Sequence, residues 1–231
     1  MILWQYISDF ISLFFPEVCL GCRRSLLYQE EYICTHCAYS LPYTEFHLEK
    51  DNVAAKKFWG RVPLEAVASY LYFTQASHVQ QVLHFIKYRN KPKAAQFLGR
   101  LYGIELAESE PFKDATLIIP VPLHKSRLRE RGYNQSDYFA KGLSESMGIE
   151  MHTDILKRTH FKGSQTKKSR YQRYENTTGI FKVNSSQIIE NQHVLLVDDV
   201  LTTGATLEAC AEALLQVEGV RVSVVTLVNA K

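Results

Sequence analysis

In this chain of 231 residues, the residues whose types and spacing most clearly indicate a ligand site lie between positions 194 and 206. An apolar run, residues 194–197, precedes two acids, Asp198 and Asp199, and a turn rich in Thr and Gly. The run predicts a buried strand, and the turn predicts the start of a helix. Helix N-termini bind phosphate, and neighbouring carboxylates suit the two vicinal hydroxyls of a ribose, directly or through a metal ion. The segment therefore predicts a ribose 5-phosphate site.

The turn after the acids supplies the predicted phosphate ligands, through its backbone N–H groups and its hydroxyls. They are Thr202, Thr203, Gly204, Ala205 and Thr206. Gly204 allows the backbone to approach a ligand closely. The alternative is a capped helix after a core strand, with solvated acids. That alternative leaves the order of apolar run, acids and turn unexplained.

Four of the five cysteines form a second candidate site. They are Cys19, Cys22, Cys34 and Cys37, in two Cys-x2-Cys pairs. Two such pairs can place four thiolates around one tetrahedral ion, so we predict a structural zinc site with every ligand position filled. An iron–sulfur cluster fits the same ligands but is less common at this spacing. His36 is interpreted as a bystander, and Cys210 as a core residue on a helical stripe.

Composition and the N-terminus exclude some classes of protein. The chain is 46% hydrophobic and 22% charged, as in globular proteins, and its net charge of +3 does not by itself indicate a nucleic-acid binder. The apolar start, residues 1–16, contains no Lys or Arg and is too short to span a bilayer. We expect an amphipathic helix that docks on the neighbouring module, or one that contacts a membrane surface or partner helix. The sequence thus predicts no transmembrane segment and a cytoplasmic protein.

The remaining elements predict an α/β fold. Apolar strands alternate with helical patterns, which indicates a parallel sheet flanked by helices. The predicted strands are residues 66–73, 117–121, 149–156, 194–197 and 220–228. The predicted helices are residues 79–88, 94–106, 135–147 and 205–217. Residues 41–61 are interpreted as a linker, so we expect an N-terminal helix and zinc-binding module at 1–45 and a sheet domain at 62–231.

The pattern at 194–206 resembles the fingerprint of the type I phosphoribosyltransferases, which bind 5-phosphoribosyl 1-diphosphate (PRPP) with magnesium. The whole chain resembles the ComF-type competence family, including GntX-like proteins, which joins a zinc-finger-like module to a phosphoribosyltransferase fold. Besides the cysteine pairs and the fingerprint, the matching pieces are Pro120-Val121-Pro122, Arg131-Gly132-Tyr133-Asn134-Gln135, and Ser164-Gln165-Thr166-x-Lys168-Ser169-Arg170 with Arg173 and Asn176. They run in family order over nearly the whole chain.

The resemblance implies where the diphosphate of PRPP would lie. A loop after the strand at 117–121 wraps it in the type I fold, and Lys125, Arg127 and Arg131 would serve here. Residues 157–174 form a second basic segment, with seven cations and no acid, which we call the flap. We predict that the flap closes over diphosphate or follows a polyanion; the alternative is a solvated face. The candidate catalytic residues are Asp198, Asp199, Lys168 and Arg170.

Two hypotheses about function follow. In the first, Mg-PRPP is a substrate, and a nucleophile displaces diphosphate at C1; no acceptor-binding motif is recognisable. In the second, PRPP or another phosphate regulates or stabilises a protein that holds single-stranded DNA through its basic segments. Because the family is associated with natural transformation, both hypotheses admit competence or DNA-uptake proteins as partners.

Overall fold

The computed structural model describes residues 16–73, 78–88, 91–158 and 180–230. Its helices are α1 (Thr35–Tyr39), α2 (His78–Tyr88), α3 (Lys93–Glu108), α4 (Lys125–Arg131), α5 (Gln135–Met147) and α6 (Ala205–Leu214). Its strands are β1 (Val67–Tyr72), β2 (Leu117–Pro120), β3 (Glu150–Met151), β4 (Leu156–Arg158), β5 (Phe181–Val183), β6 (His193–Leu201) and β7 (Arg221–Asn229). The predicted N-terminal helix and most of the flap, including Lys168 and Arg170, lie outside the described residues.

Five strands form the central sheet, in the order β1-β7-β6-β2-β3, and every neighbouring pair is parallel. The apolar stretch of β6, from Val194 to Val197, is fully buried. The predicted α/β fold with a parallel sheet is therefore confirmed. Among the described residues, no helix combines the length and the apolar character needed to cross a membrane.

The order of the strands creates a crevice between β2 and β6. The chain leaves β2 toward β3 on one side and leaves β6 toward β7 on the other. Their carboxyl ends are adjacent, since Pro120 pairs with Val197 and the N–H of Val121 donates to the Val197 carbonyl at 2.8 Å. Ligands of open α/β sheets bind at such a reversal of strand order, outside the carboxyl ends.

Helices α3 and α5 cross closely and hold the start of α5 beside this crevice. A Cβ at Gly99 would lie 2.3 Å from the Phe139 carbonyl oxygen, and one at Gly142 would lie 2.0 Å from the Gln96 carbonyl oxygen. Larger residues would force the helices apart. The start of α5 is also tied to β2, because the Asn134 side chain accepts from the N–H of Ser136 and donates to the Val121 carbonyl.

Three segments differ from the sequence predictions. Residues 41–61, predicted as a linker, contain buried Phe46, Asn52 and Phe58, and the Asn52 side chain donates to the Val67 carbonyl of β1 at 2.8 Å. Polar residues at irregular spacing concealed a segment that packs through a few large side chains. The basic stretch after β2 is helix α4 rather than a loop, begun by the His124 side chain and ended by Gly132 at φ 80°.

The predicted strand at 149–156 is also divided. Its first part, β3, belongs to the central sheet, whereas β4 pairs antiparallel with β5 in a separate two-stranded sheet. A bend over residues 153–155 separates them, and it contains Asp154, a residue type with low strand propensity. β4 and β5 flank residues 159–179 in the sequence. The cations Lys157 and Arg158, at the start of the flap, belong to β4.

Candidate functional site

The four paired cysteines come together into one cluster. Their sulfur atoms all lie within 4.8 Å of one another, and those of Cys22 and Cys34 are 3.6 Å apart. Sulfur ligands of a tetrahedral zinc ion at about 2.3 Å would be separated by about 3.8 Å. The geometry and the all-thiol donor set therefore fit zinc. His36 is not a member of this cluster, and Cys210 is buried in the core, in agreement with the interpretation from sequence.

The surroundings of the cluster prepare it for a cation. Burial opposes ionisation of Cys19, but backbone N–H groups, including those of Cys34 and Gly21, outweigh it and lower the pKa of this thiol to about 7. Burial instead raises the pKa of Cys34 and Cys37. One thiolate is thus available near neutral pH, while the two raised thiols require a cation to release their protons. His78 adds a polar neighbour, with its Nδ1 3.6 Å from the Cys37 sulfur.

The acid pair, Asp198 and Asp199, lies within β6. Strand pairing continues past it, because β7 extends as far and Val200 pairs with Val228. The Lys87 ammonium at the end of α2 contacts the Asp199 carboxylate at 2.8 Å, and the Ser136 hydroxyl donates to Asp198 at 2.8 Å. Two helices therefore hold the acid pair from the side of the crevice.

Asp198 titrates in an unusual range. Burial, and then repulsion from the Asp199 carboxylate, raise its pKa to about 7, although hydrogen bonds from Ser136 and the Asp199 N–H act in the opposite direction. The acid pair thus carries less than its full charge at neutral pH. A cation or a hydroxyl donor would favour the ionised form, so the pair is suited to bind either.

The phosphate loop, residues 202–206, follows the acid pair and surrounds a hollow of about 50 Å³. Gly204 caps α6 at φ 82°, a conformation that side chains disfavour. A Cβ there would also lie 2.9 Å from the Phe58 ring. The N–H of Ala205 lies 3.5 Å from the Thr203 hydroxyl, a long contact that leaves it available to an anion. The five predicted phosphate ligands therefore lie together on the walls of one hollow.

A second cavity, of about 280 Å³, adjoins the hollow and shares Asp198, Thr202 and Thr206 with it. Of the predicted diphosphate ligands, Arg127 and Arg131 line this cavity. Lys125 is exposed in the first turn of α4 and is not among the lining residues. Helix formation after β2 separates the three cations in this way.

Gln135 is a buried residue of this cavity with an unsatisfied hydrogen-bond donor. The residue is 2% exposed, and its side-chain oxygen accepts from Arg131 at 3.0 Å. Its Nε2 has no hydrogen-bond partner among the residues that the structure describes. A buried donor left in this state costs about 1–3 kcal/mol. An oxygen of a ligand in the cavity would remove that cost.

Sequence reasoning missed several lining residues. Lys87 gave no signal, since it is a single cation at the end of an amphipathic helix. Gln135 and Ser136 follow the Asn134 cap, and their position in the Arg-Gly-Tyr-Asn-Gln motif was the only hint of a role. Arg158, one of the flap cations that the sequence placed near diphosphate, also lines the cavity, from β4. These four residues meet the acid pair only because the topology brings α2, α5 and β4 to the carboxyl end of β6.

A larger cavity, of about 670 Å³, lies at the opposite edge of the sheet. Its lining includes Glu65, His193 and Arg221, at or just before the starts of β1, β6 and β7. Ligands of parallel α/β sheets bind at the other edge. We therefore assign the candidate site to the smaller cavities around the acid pair.

Comparison with known proteins identifies relatives along most of the chain. The family model described as a phosphoribosyl transferase domain matches residues 134–231. The DNA utilization protein YhgH of Escherichia coli (strain K12) is 29% identical over 203 residues, which cover 86% of this chain and 84% of that protein. Competence protein F of Haemophilus influenzae is 28% identical over 201 residues, covering 85% and 83%. Competence protein ComFC of Bacillus subtilis is 26% identical over 201 residues, covering 87% and 78%. The resemblance to the ComF-type competence family is thus confirmed.

Solved structures overlap the chain only in part. A hypoxanthine phosphoribosyltransferase from Staphylococcus aureus aligns with a TM-score of 0.39 and 20% identity, over 61% of this chain and 68% of that one. The glutamine PRPP amidotransferase of Bacillus subtilis aligns with a TM-score of 0.41 and 18% identity, over 62% of this chain. This chain covers 30% of the amidotransferase. The fold assignment rests on the strand order and the family match.

Proposed function

We propose that this chain, a relative of the ComF-type competence proteins, binds PRPP with magnesium at the carboxyl edge of its sheet and acts in the cytoplasm in connection with DNA uptake. The observation that carries the proposal is the continuity of the two cavities. A hollow lined by N–H groups and hydroxyls adjoins a cavity with arginines, and the acid pair lies at their junction. PRPP presents a monophosphate, a ribose and a diphosphate in that order.

Each part of PRPP has matching groups in this proposal. The 5-phosphate binds the phosphate loop, and the ribose hydroxyls meet Asp198 and Asp199. The diphosphate lies toward Arg127 and Arg131, where the Nε2 of Gln135 donates to one of its oxygens. Magnesium, when bound with PRPP, neutralises diphosphate charge.

In the enzymatic form of the proposal, an acceptor transfers an electron pair to C1 of the ribose. The C1–O bond to diphosphate breaks, and diphosphate leaves with that bond's electrons. The residues around the cavity stabilise the charges that develop and exclude water. Release of diphosphate from PRPP, measured with and without candidate acceptors, tests this form separately from binding.

A thermal melt of the full chain tests binding. Mg-PRPP at a hundred times its dissociation constant should stabilise the native state by about 2.7 kcal/mol and raise the melting temperature. The double variant Asp198→Asn with Asp199→Asn should lose this response while remaining folded. Glu49→Gln with Glu65→Gln is the matched control, since both acids are exposed and line the cavity at the opposite edge. A wild-type melting temperature that millimolar Mg-PRPP leaves unchanged would refute the proposal.

A second candidate function is the handling of single-stranded DNA. It is supported by three arginines, Arg127, Arg131 and Arg158, that line one cavity from two different elements. It is also supported by relatives whose names refer to DNA utilization and to competence. Phosphates of a DNA backbone would use the same cations as diphosphate. Competition between Mg-PRPP and a labelled oligonucleotide, measured by anisotropy, tests whether the two ligands share this surface.

The four-cysteine cluster has a structural role in this proposal. Zinc bound by Cys19, Cys22, Cys34 and Cys37 would stabilise the N-terminal module without an open position for a substrate. Reduced thiolates of this kind are typical of the cytoplasm.

A further inference from the structure

The short turn before β1, Ala55–Phe58, contacts the phosphate loop from behind. The Lys57 ammonium donates to three oxygens: the Thr202 carbonyl at 2.7 Å, the Asn229 side chain at 2.9 Å and the Ala230 carbonyl at 2.9 Å. All three of its protons therefore have acceptors. Lys57 thus joins the end of β7 to the first residue of the phosphate loop.

Arg61 makes the next contact along the loop. Its Nη1 donates to the Thr203 carbonyl at 3.3 Å, and its Nε donates to the Glu208 carboxylate at 3.0 Å. An ion pair between its Nη2 and the same carboxylate completes a two-point contact. Glu208 is 8% exposed and lies in the first turn of α6. Without Arg61, this buried carboxylate would repel an anion at the helix N-terminus.

The hydrogen bonds from Lys57 and Arg61 to carbonyls of the phosphate loop determine which way the loop N–H groups point. In a trans peptide unit, the carbonyl and the N–H of the next residue point in opposite directions, and no described peptide bond is cis. Lys57 holds the Thr202 carbonyl, so the Thr203 N–H points away from Lys57. Arg61 holds the Thr203 carbonyl, so the Gly204 N–H likewise points away from Arg61. The Phe58 ring beneath Gly204 keeps the loop at this depth.

We infer that Lys57 and Arg61 are positioning residues that aim the N–H groups of Thr203 and Gly204 at the 5-phosphate end of a sugar phosphate. The inference rests on the proposed PRPP site and assigns its selectivity for a terminal phosphate to two residues from outside the fingerprint. Pre-aimed donors do not have to reorganise when an anion binds, which increases their contribution to affinity.

Calorimetric titration of the full chain with ribose 5-phosphate and, separately, with inorganic diphosphate tests the inference. Lys57→Met and Arg61→Met should each weaken ribose 5-phosphate binding about tenfold or more, the usual effect of losing a hydrogen bond to a charged group. Both variants should bind diphosphate as the wild type does. Lys57→Arg should restore most of the ribose 5-phosphate affinity. Lys56→Met is the matched control: it removes the same charge from the neighbouring residue, which faces the Trp59 ring.

Backbone amide spectra give a second readout. Ribose 5-phosphate should shift the amide signals of Thr203 and Gly204 in the wild type and in Lys56→Met, but much less in Lys57→Met. Equal ribose 5-phosphate affinity in Lys57→Met, Arg61→Met and wild type would overturn the inference. A parallel loss of diphosphate affinity without rescue by Lys57→Arg would also overturn it, because it indicates general damage. A wild type that binds neither ribose 5-phosphate nor PRPP would refute the proposed function itself, and the inference with it.

Discussion

The four-cysteine cluster and the site around the acid pair are assembled in opposite ways. All four thiols come from positions 19 to 37, and two short turns bring them together. The other site combines residues from 57 to 206, which meet only when β2, β4, β6 and α2 have packed. A metal cluster can thus form from local chain closure, whereas a ligand site of this kind depends on the completed sheet.

The two sites also differ in how their negative charge is balanced. Beyond backbone N–H groups, the thiols have only one another and His78 as polar neighbours among the described residues. A bound cation would therefore be the main group that balances their negative charge. The acid pair already has Lys87 and Ser136 as partners. We therefore expect a metal that remains bound in the first case and a ligand that exchanges in the second.

The largest expected effect is on the cluster. Cys19→Ser should reduce bound zinc from about one per chain to almost none, and should remove a binding free energy on the order of 10 kcal/mol from the N-terminal module. The sheet should remain folded, since none of the four thiols belongs to its strands. Elemental analysis and thermal melts measure the two outcomes.

The matched control for this change is Cys210→Ala, which removes a buried cysteine outside the cluster and should retain full metal content. Loss of zinc from that variant would mean that metal binding reports the overall fold. Wild-type protein prepared without chelator and found free of metal would contradict the assignment of the cluster.

The next effect concerns the pH dependence of stability. Because the folded protein raises the pKa of Asp198 from 3.8 to about 7, its protonated form is favoured in the native state. The stability that this group contributes is fully present below pH 4 and is lost as the pH rises to about 7. Asp198→Asn should therefore stabilise the ligand-free protein at pH 8 by on the order of 4 kcal/mol, and much less at pH 4.

Melting temperatures at the two pH values measure this effect, and roughly 8–16 °C of stabilisation is expected at pH 8. Asp154→Asn serves as the comparison, because Asp154 is an exposed aspartate in the bend before β4. If Asp198→Asn melts below the wild type at pH 8, then the carboxylate stabilises the fold and its pKa is not raised.

The smallest effect concerns the flap. If the acid-free run at 157–174 follows a DNA backbone, affinity for single-stranded DNA should fall with salt, with a log–log slope of about −0.7 per neutralised phosphate. Alanine at Lys167, Lys168 and Arg170 should then flatten the slope by about two units. If the flap serves only diphosphate, the variant should keep its DNA affinity and lose affinity for PRPP. Unchanged affinity for both ligands would assign the flap to a solvated face.

The sequence predicted the structure most accurately where one short segment contains the whole pattern. The Cys-x2-Cys pairs predicted the cluster, since two-residue spacing within a turn suffices to converge thiols. The run from Val194 to Thr206 predicted a strand, an acid pair and a helix start in the right order. It underestimated the length of β6, because the pairing of Asp198 with Thr226 depends on β7 and not on local propensity.

The patterns failed where burial depends on distant partners. Residues 41–61 were interpreted as a linker because their polarity is mixed, yet Phe58 packs beneath Gly204 and Lys57 donates to the Thr202 carbonyl. Similarly, Lys87 is an ordinary helix-terminal cation until α2 brings it to Asp199.

By itself, the sequence determined the fold class, the cysteine cluster and the identity of the acid pair, because those signals are local and periodic. Only the tertiary structure decided which cations meet the acids and what holds the phosphate loop, because hydrogen bonds between residues more than a hundred positions apart leave no trace in local spacing.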